Sequence, residues 1–447
     1  MRSVGVPVFR GSFDTPQAER LLWRAGFGPR PGEAEALAKL GLEGAVHKLL
    51  YPGLEKLVGP APHDSKGRPL APADAWGHDH TWWLDRMVRT SRPLVERMTL
   101  VWHDWFATSN DGVGSQKLML KQNALFRSHA LGSFEKLLLE VTRDPAMLLW
   151  LNGVQNSKDA PNENYAREMM ELFTLGADRG AYSERDVREQ ARALTGWEND
   201  WKQGLGDYNF HFDPRSHDAG MKTVFRKSGR YEWKAACRLC VSHPLHASFF
   251  VRKLWSYFVP VGPDRATQSA LESAYRNGRQ VKPVLQMVLE HPALYEGPRM
   301  MKPPVVHVAG LLRRIGAPIT STDWAWIGDL AGQQLFYPPN VAGWDEARWL
   351  DTATFRGRWI GVQRILQGRS LDPAKSTAAD AQTVLSRALA FWNHPAVSDA
   401  THAALLQFAH TALGDAGRQK WKQQQYPALV ENALRQLIAV SPDVQTS

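Results

Sequence analysis

Asn156-SKDAPNENYAREMMELFTL-Gly176 decides how the rest of the chain is read. Glu163, Arg167 and Glu171 recur at i, i+4 and i+8, which is one face of a helix, and Glu168 stands beside them. Met169, Leu172 and Phe173 form the apolar side, with Tyr165 on its margin. Asn162, after Pro161, is the expected N-cap and puts Glu163 in the first turn, where the helix dipole favours an acid. On a surface helix, charges four apart contribute only about 0.2–0.5 kcal/mol per pair. In an interior helix the same charges must be paired or must bind something.

The helical period continues on both sides of this stretch. Asp144-PAMLLWLNG precedes it with Pro145 in a first turn, and Tyr182-SERDVREQARALTG follows, with Ser183 as cap and Gly196 as stop. Further amphipathic runs open at Pro93, Gln116 and Ser133, and again at Pro244, Val281, Pro304 and Thr352. Residues 197–230 break the pattern. They mix Gly, Asp, His, Asn and aromatics without helical period, and Tyr208-NFHF reads as a short strand. These runs predict an all-α protein: a large, nonrepeating multi-helix domain with one long irregular loop excursion. Composition turns Ala/Gln-rich near residues 368–377, which divides the chain into a main domain, 1–367, and a C-terminal helical extension, 368–447.

Composition excludes several function classes. The 447 residues carry a net charge of +9, but the excess is spread along the chain and specifies no nucleic acid. Cys237 and Cys240 are too few for a disulfide scaffold. Their CxxC spacing has no second pair for a zinc site, and the bland reading is two small apolar residues in a helix. No stretch reaches the 18 or so apolar residues of a membrane span, and no N-terminal apolar run marks a signal peptide, so the expected compartment is cytoplasmic.

Ten ordered blocks resemble one family. They are Leu22-WRAGFGP, Met98-TLVWHDWFATS, Gln122-NALFRSHALG, Arg143-DPAMLLWLNG, Pro161-NENYAREMMELFTLG, Asp186-VREQARALTGW, His217-DAGMKTVF, Lys253-LWSYFV, Met301-KPPVVHVAGLLRRIG and Phe336-YPPNVAGW. Over residues 18–367 the chain resembles the bacterial DUF1800 family, a domain of unknown function. The resemblance implies no established activity. It does imply an exported, periplasmic or surface life, near sulfatase-like proteins of another uncharacterised family. In Trp102-HDWF the family pattern tends to hold a second His where this chain has Trp105.

The candidate site joins Glu163, Glu168 and Glu171 to His217 and Asp218 from the excursion, with His103 and Asp104 of Trp102-HDWF as further candidate members. As catalytic groups, the carboxylates would divide acid and base roles in hydrolysis. As ligands, Glu163, Glu171, His217, Asp218 and His103 would hold a divalent cation, although the spacing matches neither HExxH nor a calcium loop. The competing reading is an ion-pair network with Arg167, Arg188 and Arg192. Tyr337-PPNVAGW forms a rigid lip, so that Tyr337, Trp344 and Trp197 are candidate groove faces for a sugar or peptide. The alternative is that the lip plugs the core. Two functions follow from these readings. The first is a non-enzymatic binding or assembly protein that engages a polymer or a partner protein through an aromatic-lined groove, with a protein or a polysaccharide as the candidate partner. The second is a metal-dependent hydrolase acting on a polar substrate.

Overall fold

The computed structural model describes residues 6–415, 417 and 419–447. It is all-α: the described residues contain 23 α-helices and only two two-stranded antiparallel sheets. Local signals in the sequence account for many helix ends. Pro93 opens the Pro93–Trp105 helix, where its missing N–H is no loss. Ser115, Ser133 and Asp144 cap the helices that follow them by accepting an N–H from the first turn. Ser183 and Asp186 close a reciprocal capping box despite the shorter Asp side chain.

The helices pack around two apolar clusters. One is built from residues between Phe9 and Tyr295. The other combines His78–Arg89, Pro304–Arg314 and Thr352–Leu366 with the helices Ala381–Phe391, Asp399–Gly414 and Lys420–Ala439. Residues 368–447 therefore bury their apolar faces against the same cluster as residues 304–366. Trp392 Nε1 donates to Arg435 O at 2.7 Å within it. The Pro93–Trp105 helix feeds both clusters, with Leu94, Met98 and Trp102 in the first and Leu100 in the second. Among the described residues, no helix is long and apolar enough to cross a membrane.

Two local features differ from the sequence expectation. The excursion contains two short hairpins joined by irregular chain, where the sequence offered an irregular stretch or a single small hairpin: Trp197–Lys202 pairs with Gly206–Phe212, and Lys222–Val224 pairs with Lys227–Gly229. Alternation explains this, because Phe210 and Phe212 point the same way and pack on the core. The opening stretch is not one regular helix either. Asn164–Glu168 is α-helical, but Met169–Thr174 is a π-helix, with Leu175 N bonded to Met170 O at 2.9 Å. The extra residue per turn rotates Glu171 off the face shared by Glu163 and Arg167. Apolar spacing cannot signal such a turn, since Met169, Met170 and Phe173 are buried either way.

Candidate functional site

The sequence-derived acidic residues go to separate partners, Glu163 and Asp218 into ion pairs with different arginines. Arg167 Nη2 lies 3.0 Å from Glu163 and 2.8 Å from Glu184. Glu171 instead accepts from the Tyr182 hydroxyl at 3.4 Å. Glu168 is half-buried, and burial followed by the nearby Glu171 charge raises its carboxyl above the ordinary range. Asp218 accepts Arg192 Nε at 2.7 Å, and the same guanidinium holds Glu189 at 2.9 Å. Burial alone would push the Asp218 carboxyl up, but Arg192, the Gly220 N–H and Lys222 together hold it below the ordinary value. His217 Nδ1 faces Thr195 O at 2.9 Å and its ring packs on Phe212, so the His-Asp pair pins the loop.

The remaining named residues are mostly interior. His103 is 1 % exposed and ringed by Trp83, Phe126, Phe336 and Trp344; burial lowers its imidazole to about 3. Trp197 packs on Phe212 and Trp233, and Trp344 on His103, so neither indole offers a free face. The half-buried Tyr337 receives Asn110 Nδ2 at 2.9 Å. Among the described residues, no group of three or more His, Cys, Asp or Glu is arranged to hold a metal. Glu163 and Asp218 answer to different arginines, and His103 is walled in by rings. The expected cation ligands therefore do not converge, and the residues do not fit the ion. The exposed indoles lie elsewhere: Trp76, Trp201, Trp326 and Trp421. Of these, Trp326 borders a cavity of about 540 Å³ with Gln363, Arg364 and Asn432.

A different set of polar groups does converge, beneath the Tyr337–Trp344 lip. Arg97 and Asp104 are seven residues apart on the Pro93–Trp105 helix, hence two turns apart on one face. Lys253 and Tyr257 are one turn apart at the end of the His246–Ser256 helix. Asp104 accepts from the Tyr257 hydroxyl at 2.7 Å and from Trp344 N at 2.9 Å. Gly343 has φ 93°, and a Cβ there would lie 2.3 Å from Asp104 Oδ1, so only glycine lets the lip approach this closely. Lys253 donates to Leu172 O at 3.0 Å, and its ammonium stands 4.7 Å from the Trp105 ring centroid. Leu172 belongs to the π-helical turn, whose carbonyls are offered sideways: Trp105 Nε1 takes the next one, Phe173 O, at 3.0 Å. Glu346 is exposed, Asp104, Lys253 and Tyr257 are half-buried, and Arg97 is 4 % exposed, so the cluster runs from the surface inward.

The electrostatics of this crevice are unbalanced. Burial lowers Arg97 to about 10 against the opposing pull of Glu346, Tyr257 and Asp104. It lowers Lys253 to about 8, with Asp104 opposing. Burial also raises Asp104, against the Tyr257 and Trp344 hydrogen bonds, and raises Glu346, to which the Asp104 charge adds. Among the described residues the Arg97 guanidinium has no hydrogen-bond acceptor, and its Nε is fully enclosed without one. A buried guanidinium with an open donor carries a desolvation cost that a bound acceptor would relieve. Perturbed groups gathered in one place make a candidate functional site, since burial and neighbouring charges are arranged in this way at such sites as well as in structural ion-pair networks.

Residues 20–446 match the family described as "Protein of unknown function (DUF1800)". The chain belongs to the DUF1800 family. The match extends past residue 367 through the C-terminal helices. Neither the curated proteins nor the solved structures contain a match to this DUF1800 chain. Four of the blocks that carry the resemblance meet at the crevice: they supply Asp104, the Leu172 carbonyl, Lys253 with Tyr257, and Gly343 with Trp344. Arg97, Lys253, Tyr257 and Glu346 went unrecognised in the sequence. The available signals were the i, i+7 pair Arg97/Asp104 and the i, i+4 pair Lys253/Tyr257.

Proposed function

We propose that this DUF1800 protein is a non-enzymatic binding protein that engages a polysaccharide at the crevice formed by Arg97, Asp104, Tyr257 and Glu346. The observation that carries the reading is the unpaired Arg97 guanidinium facing two carboxylates. An anion would meet Arg97 but be repelled by Asp104 and Glu346, and a cation would meet the reverse. A hydroxyl group accepts from Arg97 and donates to a carboxylate at once, and a sugar ring carries several. Such a ligand completes the hydrogen bonds that the protein leaves open, which is where polar recognition gains most of its specificity. A polysaccharide ligand accords with the periplasmic or surface life that the family resemblance implies rather than with the cytoplasm.

The test is calorimetric titration with a panel of soluble polysaccharides and their oligosaccharides, using Arg97→Met beside the parent protein. The expected result is saturable binding to at least one saccharide, weakened at least tenfold in Arg97→Met without loss of thermal stability. Equal binding by Arg97→Met and the parent overturns the assignment to this crevice. Trp326→Ala is the companion variant, because Trp326 is the exposed indole that borders a groove with polar side chains. Loss of binding there alone would move the polymer site to that groove.

A further inference from the structure

A cavity that shares no lining residue with the Arg97 cluster gathers positive charge. It has a volume of about 230 Å³ and is lined by Arg20, Arg299, Lys302 and Arg314 together with Glu19 and Asp443. That is below the ~300 Å³ at which pockets for drug-sized molecules begin. Lys302 is 4 % exposed. Its ammonium donates to Val444 O at 2.7 Å and lies 3.6 Å from the Trp23 ring centroid. An ammonium has three N–H donors, and only this one acceptor oxygen is supplied.

Both carboxylates are already committed. Glu19 takes Trp23 Nε1 at 3.2 Å and the Arg314 guanidinium. Asp443 takes Ser398 N and Oγ, each at 2.9 Å, and the Arg299 guanidinium. Behind the cavity stand two more buried guanidinium groups. Arg24, 2 % exposed, is held by Phe258 O and by Ser447 O, each at 2.6 Å. Arg358, 1 % exposed, donates Nη2 to Lys302 O at 2.8 Å and Nε to Trp349 O at 2.9 Å, while its Nη1 is enclosed without an acceptor. Arg20 donates Nη2 to Gly297 O at 2.6 Å and to Pro298 O at 3.0 Å and its Nε is enclosed without an acceptor, which leaves Nη1 for the cavity. Burial first, then Arg314, presses the Lys302 ammonium well below its ordinary value; Arg299 and Arg358 add to this and Glu19 opposes it. Stacked like charges with spare donors are relieved by an anion that brings several oxygens.

We propose that this cavity binds a small phosphate-bearing anion, its oxygens accepting from Lys302 at the floor and from Arg20 and Arg299 at the rim. A phosphate carries more charge and more acceptors than a carboxylate, which suits a site with several convergent donors. The proposal rests on the cavity and its charges alone and is independent of the polysaccharide reading.

The experiment titrates the full chain with inorganic phosphate and with pyrophosphate by calorimetry, at constant ionic strength, with acetate as the carboxylate comparison. Binding is expected to be saturable, tighter for pyrophosphate than for phosphate, and weakest for acetate. The double variant Arg20→Gln/Arg299→Gln is expected to lose at least tenfold in affinity. Arg356→Gln, at an exposed arginine of the Thr352–Leu366 helix, is expected to lose nothing. Lys302→Met should abolish binding; if it does not fold, the rim variants still decide. Heat that tracks ionic strength only, equal affinity for acetate, or equal losses in Arg356→Gln would each overturn the proposal.

Discussion

Around Asp218, Arg192 is gripped by Glu189 and Asp218, and Arg167 by Glu163 and Glu184. Around Asp104, Arg97 sits deeper than either of those arginines and grips nothing. The two regions use the same side-chain types and neighbouring stretches of chain, yet they solve opposite problems. The first spends its charges on holding a loop to a helix. The second keeps a guanidinium unsatisfied next to Asp104, whose carboxylate is itself anchored by Tyr257 and Trp344 N. Acid-base composition therefore does not distinguish a brace from a site. What separates these two is that Arg192 and Arg167 have carboxylate acceptors and Arg97 has none among the described residues.

The sharpest way to break this comparison is Arg97→Met. If Arg97 serves a ligand, its removal takes away charge-assisted hydrogen bonds of about 1.5–3 kcal/mol each, so that affinity falls by roughly ten- to a hundredfold. The fold should lose nothing and can gain, because a buried unpaired charge is replaced by an apolar chain of similar length. Thermal unfolding and saccharide titration on one sample check both halves. A large fall in stability would mean that Arg97 is a brace like Arg192.

The mirror-image variant is Asp218→Ala. It strips Arg192 of its 2.7 Å partner and unpins Gly220 N. Loss of one partner from a part-buried pair costs about 2 kcal/mol, read as a lower urea midpoint at unchanged m. Binding at the crevice should be unaffected. Altered affinity with intact stability would reverse the roles assigned to the two regions.

A third contrast lies in pH. Lys253 titrates at about 8 in the fold, against an ordinary value of 10.5. Between these values the unfolded chain binds more protons than the native one, so stability rises with pH across that window. The penalty is complete below about pH 8 and vanishes above 10.5. Lys253→Met removes it. The difference in stability between the parent and Lys253→Met should therefore shift in favour of the parent as pH rises from 8 to 10.5. Denaturant unfolding at several pH values reads this directly; a flat difference would mean that Lys253 is not desolvated.

Helices and caps were legible because their causes are local: Pro93 and Ser183 act within one turn of themselves. The hairpins were half legible, since Tyr208-NFHF alternates but its partner strand, Trp197–Lys202, carries little apolar period. The π-helical turn left no trace in spacing. The site was legible only in fragments. Asp104 and Trp344 were singled out as separate features, yet Trp344 N reaches Asp104 across 240 positions. Glu346 lies in a turn with no period at all. Arg97 is inconspicuous beside Glu96 in a largely apolar helix, and nothing local reveals that it lacks a partner.

The smallest expected effect tests the brace at its most exposed point. Arg167 and Glu163 are each about a third exposed, and Glu184 is 62 % exposed. Water already solvates these groups well, and ordering two long side chains offsets much of the Coulomb attraction, so such pairs contribute about 0.2–1 kcal/mol. Arg167→Gln should lower stability by about 0.5 kcal/mol, an effect that shrinks further when salt is raised because exposed pairs are screened. A loss of several kcal/mol, insensitive to salt, would instead mean that the polar helix carries a buried charge of the kind found at Arg97. The paired region would then belong with the crevice, because its arginine too would be held for something other than its visible carboxylates.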